Sequence, residues 1–178
     1  MENKHCSVKL RRIERKDANI LMELNNNDVI AKSVVGNPRK VNIEEQLLWM
    51  DSLAKERNTV RMMIEYGSNP VGTIIISSID LDNETGNMNI KILPEFHGKG
   101  IGTKALALAC QYAFVEMKLS CLTAHILSDN LASVMLFKKI GFIEEGVLRS
   151  RVVKEGRRRD LLSLSCLKSD SKWRKYNV

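Results

Sequence analysis

The chain has 178 residues, a formal net charge of +7, 44% hydrophobic and 28% charged residues. That length suits one domain with a sizeable core, and the balance is that of a globular protein rather than a disordered or fibrous one. No run approaches the roughly 18 consecutive apolar residues of a membrane span, and residues 1–5 lack the apolar core of a secretory leader, so a cytoplasmic protein with no membrane partner is expected. Lysine and arginine gather at 149–151, 157–159 and 172–175, as in a nucleic-acid binder. Aromatic residues are only 5%, too few for stacking platforms, so a basic surface beside a polyphosphate ligand is the reading preferred and no nucleic-acid partner is expected. Cys6, Cys110, Cys121 and Cys166 form no C-x-x-C pair and read as thiols in a reducing compartment. His5, His97 and His125 are too dispersed to suggest a metal site.

Residues 8–13 alternate and read as a first strand. Asp17 stands where it can cap a helix over 18–24 that turns Ile20, Leu21 and Leu24 inward. Residues 25–28 end that helix, the apolar run 29–35 is ambiguous, and Gly36-Asn37-Pro38 breaks the chain. Asn42 followed by Glu45 forms a capping-box pattern for a helix to about residue 57, with Ile43, Leu47, Met50 and Ala54 on one face. Residues 60–66 and 71–79 are strands joined by a hairpin turn at 67–70. After a polar loop, 87–93 forms the third strand of the meander and Pro94 ends it. A helix runs from Ile101 to about residue 118 on Leu106, Cys110, Ala113 and Met117. Residues 121–127 are a strand reached through that helix, so it can lie parallel to the 87–93 strand. A short helix over 130–139, with Leu131, Val134, Met135 and Phe137 as apolar positions, stops at Gly141. Residues 142–153 and 158–167 make a last hairpin, and the polar tail 169–178 is expected to fray. No linker or repeat interrupts residues 1–178, which read as a single domain of α/β (α+β) class with a mixed, mostly antiparallel sheet.

Between the 87–93 strand and its helix lie Gly98, Gly100 and Gly102. Glycines let a ligand approach the main chain, and the unpaired N–H groups and dipole of a helix start favour phosphate. The spacing is neither that of a P-loop, since Thr103 and Lys104 stand in the inverse order, nor that of a dinucleotide fingerprint. A plain tight turn is the alternative.

The run Leu93-Pro94-Glu95-Phe96-His97-Gly98-Lys99-Gly100-Ile101-Gly102 resembles motif A of the GNAT acetyltransferases, Q/R-x-x-G-x-G/A. Asn130-Leu131-Ala132-Ser133-Val134-Met135-Leu136-Phe137-Lys138-Lys139-Ile140-Gly141-Phe142 resembles motif B, N-x-x-[AS]-x-x-[LF]-Y-x-K-x-G-F. Two motifs in order are far more specific than either alone. The opening Ser7-Val8-Lys9-Leu10-Arg11 and the later Gly141-Phe142-Ile143-Glu144-Glu145-Gly146 look closest to the branch holding ribosomal-protein and spermidine N-acetyltransferases.

The resemblance implies the GNAT fold, a sheet of six or seven strands splayed after Ile92 and flanked by helices, with acetyl-CoA as cofactor. It implies that the main-chain N–H near Ile92 polarises the thioester carbonyl and that the opened strand, Ile92 and Leu93, pairs with the pantetheine arm. The turn His97, Gly98, Lys99, Gly100, Ile101, Gly102 and Thr103 would hold the pyrophosphate, and Asn130 and Phe137 would border the arm. Lys99 and Lys104 read equally as phosphate contacts or solvated surface, and Asn130 also suits a plain N-cap. The segment between the first two helices would cover the acceptor.

Three positions depart from the family's pattern. His97 replaces the usual Gln or Arg but can still donate a hydrogen bond. Asn87 stands where many relatives carry a glutamate base, and Phe137 where many carry the tyrosine that protonates the leaving thiolate. Neither replacement can move a proton. Glu65, Glu84, Glu95 and Tyr66 are unplaced candidates. The acceptor is an amine: a small amine, an amino sugar or a protein N-terminus. Residues 36–40 lack the acidic pair that suits a polycation in spermidine acetyltransferases, which argues against spermidine. A cofactor-binding sensor that has lost catalysis is the alternative reading, and assembly as a homodimer is compatible with either.

Overall fold

The computed structural model describes residues 7–176, so the readings of His5 and Cys6 and the end of the tail fall outside the described residues. Seven strands, β1 (Val8–Arg12), β2 (Val60–Tyr66), β3 (Asn69–Asp80), β4 (Thr85–Ile92), β5 (Cys121–Leu127), β6 (Ile143–Lys154) and β7 (Arg157–Leu167), form one sheet in the order β1-β2-β3-β4-β5-β7-β6. Five α-helices flank it among the described residues: α1 (Ala18–Asn26), α2 (Asp28–Ser33), α3 (Ile43–Ser52), α4 (Ile101–Gln111) and α5 (Leu131–Ile140). Only β4 and β5 run parallel, because α4 carries the chain back to the starting edge between them. The remaining neighbours are antiparallel, as expected of a mostly antiparallel mixed sheet.

Strand alternation sorts the side chains onto two faces. Met62, Ile64, Ile74, Ile76, Met88 and Leu122 pack with Leu106, Cys110, Ala113 and Phe114 around α4 in the main core. Arg61, Thr73, Ile75 and Lys91 face the other way, toward α1 and α3. Gly72 brings β3 unusually close to β4: a Cβ there would sit 2.2 Å from the Lys91 carbonyl oxygen.

The sheet opens between β4 and β5. Their ladder runs only from Thr85 opposite Cys121 to Asn87 opposite Thr123. The opening therefore starts at Asn87, earlier than the point after Ile92 expected from the resemblance. Beyond it, α2 ties the two halves together. The Lys154 ammonium, 6% exposed, donates to the Ala31 and Gly36 carbonyls at 2.8 and 2.6 Å. Asn130 Nδ2 donates to Ser33 O at 3.0 Å. The ambiguous run 29–35 is thus mostly helical, capped by Asn27, whose side chain accepts from the Val29 and Ile30 N–H groups.

Three further expectations need correction. Asp17 does not cap α1 through its side chain. It is 1% exposed, accepts both terminal nitrogens of Arg11 at 2.7 Å and the Glu14 N–H at 2.8 Å, and so anchors β1 to the turn before α1. The Asn42–Glu45 capping box of α3 forms, but the helix does not bury the predicted stripe: Ile43 is 37% exposed, while Gln46 is buried. The tail does not fray over its described part. Residues Ser171–Tyr176 form a 3₁₀ helix that inserts Trp173 against Phe114, ring centroids 5.5 Å apart.

Candidate active site

β4 supplies the centre of the site. The Leu93 N–H donates to Val71 O at 3.0 Å, so along β4 the groups of Lys91, Asn89 and Asn87 also face β3. By the same alternation the main-chain groups of Met88, Ile90 and Ile92 face the side from which β5 has parted. The result is a strand edge without a main-chain ladder, opening onto a gap. At its far end His97 Nε2 lies 2.9 Å from Ile92 O. A carbonyl only accepts, so Nε2 carries the hydrogen. His97 thereby clamps the glycine turn to β4 and leaves the Ile92 N–H directed at the gap. This bond gives His97 a positioning role in the turn.

The turn has the properties required for an anion. Gly98 and Gly100 adopt φ of 74° and 75°, a left-handed conformation that side chains disfavour. The ladder of α4 begins with the Lys104 N–H on Gly100 O at 3.2 Å, so the Ile101, Gly102 and Thr103 N–H groups have no intrahelical acceptor. They point out of the N-terminus with the positive end of the dipole behind them. Gly102 allows close packing, because a Cβ there would meet Leu136 at 3.1 Å and Ile92 at 3.4 Å. The Lys99 ammonium rests over the Phe96 ring, 5.1 Å from its centroid. Leu93 is set back from these groups: its side chain is 3% exposed, its N–H is taken by Val71 O and its carbonyl accepts the Phe96 N–H. Replacing Gly100 with valine should lower acetyl-CoA affinity at least about tenfold, roughly 1.4 kcal/mol. Calorimetry on the folded variant checks this, and unchanged affinity would remove the turn from the cofactor site.

Asn130 caps α5 by accepting the Ser133 N–H at 3.2 Å, in addition to its bond to Ser33. Phe137, on the buried face of α5, is 2% exposed and meets Phe142 edge-on with centroids 4.9 Å apart. Leu131 and Met135, also expected as apolar positions, are 67% and 70% exposed.

At the vertex of the gap a polar chain crosses from β4 to β5. Asn89 Nδ2 donates to Asn87 Oδ1 at 3.0 Å, and Asn87 Nδ2 donates to Thr123 Oγ1 at 3.1 Å. Asn87 Nδ2 also lies 3.1 Å from His125 Nδ1. In the sequence His125 stands out only as one of three dispersed histidines. Its position on β5 opposite the glutamate-equivalent Asn87 depends on strand register, which residue spacing along one strand does not reveal. Among the described residues no three His, Cys, Asp or Glu side chains gather as a metal site would need.

Asn87, Asn89 and Lys91 share the sheet face turned to α1 and α3, where a cavity of about 290 Å³ lies over Thr73, Ile75 and Lys91. Burial, aided by the nearby Arg61 charge, holds the Lys91 ammonium below the ordinary lysine range. An opened strand edge beside a helix start with free N–H groups, and a cavity on the adjoining face, offers donors suited to a long phosphate-bearing ligand.

Comparison with known proteins identifies the ligand class. The family model described as the acetyltransferase (GNAT) domain matches residues 7–143. The chain belongs to the GNAT acetyltransferase family. It is 27% identical over 158 residues to the spermidine N(1)-acetyltransferase of Escherichia coli K12, covering 89% of this chain and 84% of that one. It is 29% identical over 175 residues to the putative ribosomal N-acetyltransferase YdaF of Bacillus subtilis, with 94% of each chain covered. Among solved structures, the spermidine N-acetyltransferase of Vibrio cholerae in complex with CoA and spermine superposes with a TM-score of 0.86 at 26% identity, covering 92% of this chain and 96% of that one. As a GNAT protein the chain is an acetyl-CoA-dependent N-acetyltransferase. The sensor alternative finds no support, because these relatives are named for catalysis. Both branch names anticipated from the Ser7–Arg11 and Gly141–Gly146 stretches recur among the relatives.

Proposed function

We propose that this GNAT domain, acting as one unit over residues 1–178, acetylates the primary amine of a small amine, an amino sugar or a protein N-terminus by direct attack in a ternary complex. Acetyl-CoA supplies the acetyl thioester. The N–H groups of Ile101, Gly102 and Thr103, with Gly98, Lys99 and Gly100, hold its pyrophosphate. The free edge of Met88, Ile90 and Ile92 hydrogen-bonds the pantetheine amides, and Asn130 and Phe137 flank the arm from α5. The Ile92 N–H, aimed by the His97 clamp, stabilises negative charge on the carbonyl oxygen. The observation that carries this reading is the loss of β4–β5 pairing after Asn87, directly beside the glycine turn.

The ammonium of the acceptor must lose a proton, and Asn87 has no basic atom. His125 takes that role through Nε2. For Nε2 to accept a proton, Nδ1 must carry the other hydrogen and Asn87 must turn its amide oxygen to the ring. Asn89 then turns with it, and each contact to Asn87 is kept with its direction reversed. Phe137 offers no proton to the departing thiolate, which water protonates instead.

A cytoplasmic setting accords with the free thiols of Cys110, Cys121 and Cys166, and no helix among the described residues is long and apolar enough to cross a membrane. Association of copies, at least as a homodimer, is part of the proposal and is supported by the dodecameric spermidine N-acetyltransferase of Vibrio cholerae, which has a TM-score of 0.79. A polycationic acceptor such as spermidine fits poorly, because the segment before α3, Gly36-Asn37-Pro38-Arg39-Lys40, carries no acidic residue.

The reading is tested by following thiol release from acetyl-CoA across a panel of primary amines. Release should depend on the amine, and His125→Ala should lower kcat by about 10² or more. Amine-independent release, or an unchanged kcat in His125→Ala, contradicts the respective parts.

A further inference from the structure

The cavity between α1, α3 and the β2–β4 face is lined by a single carboxylate, Glu45, and by three cations, Arg39, Arg61 and Lys91. Two of the cations are already matched. Arg39 bonds Glu45 at 2.7 Å, and Glu45 also accepts the Asn42 N–H at 3.0 Å. Arg61 holds both Glu56 oxygens, at 3.1 and 3.2 Å, and lies over the Trp49 ring. Lys91 has no carboxylate partner among the described residues, and the charge it feels is that of Arg61. Gln46, a buried residue, also lines the cavity beside Thr73, with apolar walls from Leu21, Leu24, Ile75 and Trp49. A half-buried ammonium with a second cation beside it and no anion is costly by itself. Its position becomes favourable when an anion enters, and the neutral donors of Gln46 and Thr73 can complete the coordination. The cavity volume of about 290 Å³ suits one small headgroup with a short stem. Lys91 is on β4, next to Ile92 and on the same sheet face as Asn87 and Asn89.

We propose that this cavity is an anion subsite of the acceptor, so that the amine acetylated here carries a carboxylate or phosphate group, which Lys91 binds with Arg61 and Gln46 beside it. The inference rests on the acetyl-transfer reading above and adds the substrate class. It also gives a physical reason for excluding polyamines, since a polycation would meet a positive wall.

Matched amines test it: O-phosphoethanolamine against ethanolamine, β-alanine against propylamine, and spermidine. With wild-type protein, kcat/KM should favour at least one anionic member over its neutral partner by tenfold or more, and the winning pair distinguishes phosphate from carboxylate. In Lys91→Met that ratio should collapse toward one through KM, while the melting temperature does not fall, since a half-buried unmatched charge has been removed. Equal use of both members, preference for spermidine, or a ratio that survives in Lys91→Met overturns the proposal. If no amine is acetylated, the acetyl-transfer reading fails, and calorimetry still decides the subsite: O-phosphoethanolamine or β-alanine should bind wild type and not Lys91→Met, and binding to neither protein, or equally to both, overturns it.

Discussion

Replacing Gly72 with alanine should be among the most damaging single changes in this protein, costing about 3 kcal/mol or more. The added Cβ would lie 2.2 Å from the Lys91 carbonyl oxygen, 3.0 Å from Ile92 Cα and 3.1 Å from Ile92 Cγ1. Two of these three are main-chain atoms, so no side-chain rotation relieves the clash and β3 must separate from β4. At about 2–4 °C per kcal/mol for a chain of this size, the melting temperature should fall by roughly 6–12 °C. The separation occurs at Ile92, so acetyl-CoA binding should weaken as well. Gly146→Ala is the control: a Cβ there meets nothing within 4 Å and its φ is not left-handed, so its effect should be small. Calorimetric melting of the two variants side by side checks the claim, and equal effects would refute it.

The second large effect concerns Arg11. Its guanidinium binds Asp17 through both terminal nitrogens at 2.7 Å and Glu65 through Nε at 2.6 Å. Arg11→Met should cost about 3–5 kcal/mol, because it strands a carboxylate that is 1% exposed. The pH dependence has a definite sign. Burial pushes the Asp17 carboxyl up, but the Arg11 hydrogen bonds, the Glu14 N–H and the Arg11 charge outweigh it and leave it below the ordinary value of 3.8. In wild type, therefore, this group's stabilisation is present above 3.8 and is lost as pH falls through the lower folded value. In Arg11→Met the Arg11 hydrogen bonds and charge no longer offset burial, so the folded value is higher than in wild type and less stability is lost through this group as pH falls. The gap in stability between the two proteins should thus narrow from neutral pH toward acid. A gap constant with pH would show that Asp17 is not the stranded group. Arg11→Met with Asp17→Leu should recover much of the loss, since the pair is costly mainly when broken.

Much of the fold was legible because local chemistry and tertiary packing agree. The bounds of β2 and β5 match the sequence reading at 60–66 and 121–127, where alternation is strong and turns punctuate both ends. Gly141 ends α5 with φ of 120°, as its position implied. The glycine turn was legible as an anion cradle, although the left-handed φ of Gly98 and Gly100 is a second reason for glycine beyond open approach. Legibility failed where a side chain is claimed by something distant in sequence. Asp17 has the residue type and place of an N-cap, but Arg11 binds it. The face of α3 turned to the sheet is that of Glu45, Gln46 and Trp49, which borders a cavity, and the predicted apolar stripe lies off it. The polar tail looks frayed until Trp173 is matched with the Phe114 surface that α4 leaves uncovered. His125 acquires meaning only when β5 is set in register beside Asn87. The start of the splay was misplaced for a related reason: side-chain bonds from Asn87 to Thr123 and His125 mark the last crossing, and they lie on two strands separated by a helix.

The central claim is that the opened edge of β4 receives the pantetheine arm while the glycine turn holds the pyrophosphate. A crystal structure of this protein with coenzyme A tests it most directly. The account predicts the arm in the gap between β4 and β5, hydrogen-bonded to main-chain groups of Met88, Ile90 or Ile92, with phosphate oxygens on the N–H groups of residues 98–103. Coenzyme A bound at the β1 or β6 edge of the sheet, or a β4–β5 ladder closed past Asn87 with the arm elsewhere, would contradict it.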